Sequence, residues 1–237
     1  MTTATSTASA PHRRHRAQWP VPAGLILLSL IPVIAGAARL TELTGGAAIT
    51  PQNARFFASP VPVVTHIVSV TTYCLLGAFQ FVPSLRGKRG WHRIAGRVLV
   101  PAGLLAALSG LWMAAFYPLP AGDGPVLFVL RMVFGSAMLA SLVLGVVTIM
   151  RRDFVRHSAW MTRGYAIGVA AGTQALVSLP WMLLVGPPEE LTRAILLGSA
   201  WVINVAVAEF VIHRRAVLAK RLRPARQTAA ARAGSVG

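Results

Sequence analysis

Six apolar blocks set the limits on this chain. They fall at about 22–39, 61–84, 94–116, 125–149, 158–185 and 191–212, with short polar runs between them. Each is close to the ~20 residues an α-helix needs to cross a hydrocarbon core. Backbone N–H and C=O groups in lipid must bond within their own segment, so blocks of this kind are helices. The expected fold class is therefore all-α, a polytopic membrane bundle of about six helices. Composition agrees: 55% of residues are hydrophobic and 12% charged. A soluble domain would carry about 25% charged residues.

The loops give the orientation. One set carries Arg13, Arg14 and Arg16, then Arg86, Lys88, Arg89 and Arg93, then Arg151, Arg152 and Arg156, then Arg214, Arg215, Lys220, Arg221, Arg223, Arg226 and Arg232. The alternate set holds only Arg39, Arg55 and Arg193, beside Glu42, Asp123, Glu189 and Glu190. The positive-inside rule makes the first set cytoplasmic, with both termini inside and the protein in the plasma membrane. The formal charge of +17 is thus a topology signal, and nucleic-acid binding is not expected. Residues 1–20 are expected as a disordered tail and 214–237 as a mostly disordered basic tail whose partner is anionic lipid. Residues 21–213 form the membrane domain. A basic leader, an apolar run and small residues at Ala35–Ala38 also describe a cleaved signal peptide, although the apolar run fills a whole span.

Charged or strongly polar groups inside a bilayer are costly and mark candidate sites. They form two layers here. The cytoplasmic layer holds Gln80, His92, Arg97, His157, Arg163, Glu209 and His213. Glu209 is the only acid within any block, so an ion pair with one of these arginines is expected. Arginines close to a helix end also reach the headgroups unaided. The outer layer holds His66, Arg131 and Gln174, with Asn204 a further interior polar group. No block supplies an acid at the depth of Arg131, so water, a bound anion or backbone carbonyls are expected to serve it. His66, Tyr73, Gly77 and Gln80 share one helical face, which should point inward. Gly96, Gly103 and Gly110 lie on the face of His92, and Gly164 and Gly168 on that of His157. Small residues allow close helix packing. The same smooth faces suit a flat porphyrin beside an axial histidine.

The ordered motifs resemble a bacterial membrane family labelled domain of unknown function 2306. They are His66-Ile67; Gly77-Ala-Phe-Gln80-Phe81-Val-Pro83-Ser-Leu-Arg86; His92-Arg93-Ile-Ala-Gly96-Arg97; Arg152-Asp153; His157-Ser-Ala-Trp160-Met161-Thr-Arg163-Gly-Tyr165; and Trp201-Val-Ile-Asn204-Val-Ala-Val-Ala208-Glu209. The resemblance spans blocks two to six. It departs near Gln174, where the family favours an arginine. It implies the fold and no reaction.

Two readings of function stay open. In the first, the protein carries haem b for electron transfer, a haem-dependent oxidoreductase similar in layout to six-helix transmembrane cytochromes. His92 and His157 are then the iron ligands, with Arg93, Arg97 and Arg163 on the propionates and His213 in reserve. His66 lacks a histidine partner, so only one such haem is expected. In the second, the protein is non-redox. It is a small-molecule or anion transporter, or a packing and assembly partner, with its His, Arg, Gln and Glu side chains lining a polar path. No phosphate loop, zinc-spaced cluster or nucleophile elbow points to soluble enzyme chemistry. Cys74 has no partner for an internal disulfide.

Overall fold

A computed structural model describes residues 19–82, 85 and 89–234, and the side chains among them except those of Arg89 and residues 222–234. The expected tail at 1–18, Arg86 and Lys88 lie outside the described residues. The elements are α1 (Pro20–Thr44), a short α2 (Ala54–Ala58), α3 (Pro60–Ala78) with a 3₁₀ turn Phe79–Phe81, α4 (Arg89–Phe116), α5 (Pro125–Met150), α6 (Phe154–Gly168), α7 (Ala170–Leu184) and α8 (Glu190–Gly234). Six helical stretches are long and apolar enough to cross a membrane, α6 and α7 together making one of them. Large apolar side chains such as Leu27, Val61, Leu183 and Val207 stand exposed on the outside of the bundle. Lipid removes the penalty that water would impose on them.

Half of the helix starts follow from sequence. Proline opens α1, α3 and α5, where its missing N–H is no loss. Asp153 caps α6, its carboxylate accepting the Arg156 N–H at 3.0 Å. Three features depart from expectation. The fifth block is two helices that meet at Val169, and Pro180 lies within the second, α7. Gly168 and Gly172 flank the break, and glycine weakens a helix by up to ~1 kcal/mol. The Val169 carbonyl there accepts from Gly172 N–H at 3.2 Å, a tighter turn than an α-helix makes. Second, the chain does not leave helix at residue 213. The α8 helix runs on to Gly234, so the expected disorder of the basic segment is corrected over 214–234. Alanine-rich sequence with arginine and lysine has high helix propensity, and no proline or glycine follows the membrane segment until Pro224. Third, α1 begins at Pro20 and runs to Thr44, extending past both ends of its apolar block.

Packing divides the bundle into two halves. The α6 segment lies against α5, α8 and α3, whereas α7 lies against α8 and α1. The break therefore moves the second half of this span away from the centre. In the half containing α6, the core is filled by Tyr73, Tyr165, Leu99 and Leu142. In the half containing α7, the centre is open. The loops at residues 45–59, 117–124 and 185–189 close that open half, called here the acidic end. The opposite face is the basic end.

A candidate anion site at the acidic end

Beneath the acidic-end loops lies a cavity of ≈ 450 Å³, walled by α1, α3, α4, α5, α7 and α8. Arg55, His66, Arg131 and Gln174 line it, as do Gly168, Val169 and Ala171 at the helix break. Irregular backbone at membrane depth is tolerated where it borders such a space. The break is held from both sides. Asn204 of α8 donates its amide to the Ala166 carbonyl at 3.0 Å, and its Oδ1 accepts from Thr173 Oγ1 at 2.9 Å. The Cys74 thiol reaches the Gly168 carbonyl at 3.6 Å.

Arg131 does have an acidic partner. Asp123 pairs with Arg131 Nη2 at 2.6 Å and with Arg193 Nε at 2.6 Å, and its side chain is 0% exposed. The expectation that water, an anion or carbonyls alone would serve Arg131 is thus corrected. Asp123 belongs to the loop before α5, and a turn brings it inward. Its N–H bonds the Pro120 carbonyl at 3.0 Å, and Gly122 between them has φ +81°. A glycine at that point of a turn supplies the left-handed conformation other residues resist. Asp123, Arg55 and Arg193 were assigned to loops by sequence. The available signal was an acid two residues before a span that carries an arginine in its second turn, close enough for the long side chain to reach back.

Among the described residues, no acidic side chain lines the cavity itself. Arg39 pairs with Glu42, which also accepts from Asn53. Arg55 has no ion pair among the described residues. Its guanidinium lies over the Phe56 ring at 4.5 Å, and Arg39 lies over the same ring at 4.6 Å. Burial pulls Arg55 below the usual arginine value, Asp123 pulls it back up, and Arg39 and Arg131 repel it. Two arginines thus share one buried carboxylate and a third, Arg55, feels it without pairing; Arg55 and Arg131 face the cavity. His66 is set firmly in the wall. Its Nδ1 lies 3.0 Å from the Ala106 carbonyl and 3.2 Å from Ser109 Oγ. Gln174 donates to the Leu197 carbonyl at 3.2 Å.

The basic end differs. Arg163 meets Glu209 through two bonds, Nε–Oε1 at 2.5 Å and Nη2–Oε2 at 2.9 Å, as an intramembrane pair of the expected kind. Arg163 also lies over Trp160. Arg97 is exposed on α4, and Gln80 sits in the 3₁₀ turn. His92 is exposed near the start of α4, and His157 Nδ1 lies 2.8 Å from the Gly145 carbonyl of α5. The glycine faces offered for a porphyrin are largely filled. Tyr73 packs over Gly103 and Gly168, Leu142 over Gly164, Tyr165 over Gly77 and Met161 over Gly145. Of the glycines on the two histidine faces, only Gly96 faces open space and only Gly110 meets His66. Gly103, Gly164 and Gly168, further along those faces, are thus closed to a flat macrocycle. The inward stripe of His66, Tyr73 and Gly77 is as expected, but it receives side chains. No group of three or more His, Cys, Asp or Glu residues suited to a metal occurs among the described residues.

No curated protein and no solved structure matches the chain. The family described as "Predicted membrane protein (DUF2306)" matches residues 63–212, which takes in every span from α3 to α8 together with Arg131, Asp123, Asn204 and the helix break, and the chain belongs to that family.

Proposed function

We propose that the protein binds a small anion in the acidic-end cavity and acts in its movement across, or capture at, the plasma membrane. The observation that carries this reading is that Arg55 and Arg131 both line the cavity while no acidic side chain among the described residues does, and that the carboxylate paired with Arg131, Asp123, is shared with Arg193. Ionised arginine is stable there only beside a compensating charge or water. The helix break beside the cavity adds support, because discontinuous helices commonly form transporter sites near the midplane.

In this reading the acidic end faces outside and the basic end faces the cytoplasm, as the loop charges require. The exposed Arg214, Arg215, Lys220 and Arg221 on the extension of α8 then lie near anionic headgroups. The test is thermal unfolding of the purified protein in sodium salts of different anions at constant ionic strength. At least one anion should stabilise the wild type, by about 2.7 kcal/mol at a hundredfold excess over Kd. Arg131→Gln should abolish that gain. Equal behaviour of wild type and variant across the whole panel rejects the reading.

A further inference from the structure

We infer that the ligand of this cavity is an amphiphilic anion: one monoanionic head group at Arg131 and Arg55, and an apolar body extending toward the helix break. This inference rests on the anion reading and adds the shape and class of the ligand.

The cavity is elongated. Its lining on α4 runs from Ala106 to Ala114 and on to Tyr117 just beyond the helix. At ~1.5 Å per residue that is about 16 Å. Along α5 it runs from Arg131 to Met138, two turns or about 10 Å deeper on nearly the same face. The charge is concentrated at one end. Below Arg131 the walls are Ile67, Val70, Leu111, Met138 and Ile167.

Several polar atoms at that depth are already engaged. His66 Nδ1 is taken by Ala106 and Ser109, the Gln174 amide by Leu197, and the Cys74 thiol by Gly168. A small hydrated ion entering this space would lose water and find few replacements. An uncharged lipid would cover apolar wall but leave Arg55 without a carboxylate and Arg131 with one it shares with Arg193. A carboxylate or equivalent head with an apolar body satisfies both ends. The volume of ≈ 450 Å³ is within the ~300–1,000 Å³ range of sites for molecules of that size.

The experiment is equilibrium binding to the full chain in nanodiscs of neutral lipid, with empty nanodiscs as the partition control. The probes are acetate, hexanoate, decanoate, decanol and inorganic phosphate. Affinity should rise from acetate to decanoate by about fourfold per buried methylene. Decanol should bind at least tenfold more weakly than decanoate. Arg131→Gln should weaken decanoate at least tenfold. If that variant does not fold, Arg55→Gln, in a short loop helix, should weaken it severalfold. Ala171→Leu, which puts bulk into the cavity wall, should weaken decanoate and spare acetate. Phosphate or acetate binding as tightly as decanoate overturns the amphiphile and leaves the anion reading standing. Decanol matching decanoate, or no probe binding above the control, overturns both.

Discussion

The two ends of the bundle use similar residues to opposite effect. At the basic end, Gly77, Gly103 and Gly164 receive Tyr165, Tyr73 and Leu142, and the interior closes. At the acidic end, Gly168 and Val169 end a helix, α7 swings toward α1, and the interior stays open. The same contrast holds for charge. The Arg163–Glu209 pair is one acid for one base, with side chains 28% and 47% exposed. Asp123 is fully enclosed and serves two arginines, while a third has no carboxylate of its own. Small residues therefore do not tell a packed interface from a ligand space.

Asp123→Asn is the strongest way to break this contrast. It removes the enclosed carboxylate and leaves Arg131 and Arg193 without a counter-charge. Losing one partner of a buried pair costs about 3–5 kcal/mol. Chemical denaturation of the purified variant should show a loss of that order. A loss below ~1 kcal/mol would mean that the acidic-end charges are already well solvated.

Gly172→Ala and Gly96→Ala sharpen the packing side. A Cβ on Gly172 would land on the Leu28 backbone carbonyl of α1, which cannot rotate away. Overpacking of this kind costs about 1–3 kcal/mol. A Cβ on Gly96 meets nothing within 4 Å, so the gain in helix propensity should leave stability equal or slightly higher. Side-by-side denaturation of the two variants decides it; equal effects would mean that α1 does not pack on α7 this tightly.

The smallest effect belongs to the basic-end pair. A double-mutant cycle of Arg163→Met and Glu209→Gln should give a coupling of about 1 kcal/mol or less, because the pair is open on one side. A coupling as large as the Asp123 effect would erase the difference between the two ends.

The membrane class, the number of spans and the inward face of α3 were legible in the sequence, because lipid imposes length and apolarity on every span and leaves few alternatives. The Arg163–Glu209 pair was legible because Glu209 is the only acid within a block. The Arg131–Asp123–Arg193 cluster was not. Its acid lies in a loop, and only the turn at Gly122 carries it inward. The break at Val169 was hidden as well, since the apolar run continues through it and Pro180 is the more visible interruption. The filled glycine faces were ambiguous by nature: a stripe of small residues records that something lies close, and the rings that do so come from other helices.

Asn204 gives the bundle one mechanical property. It lies on α8 between Arg193, which is tied to the Asp123 loop, and Glu209, which is tied to α6. One unbroken helix thus grips the roof of the cavity, the hinge in its wall and the packed half beneath. The three are therefore held at fixed spacing by a single rod.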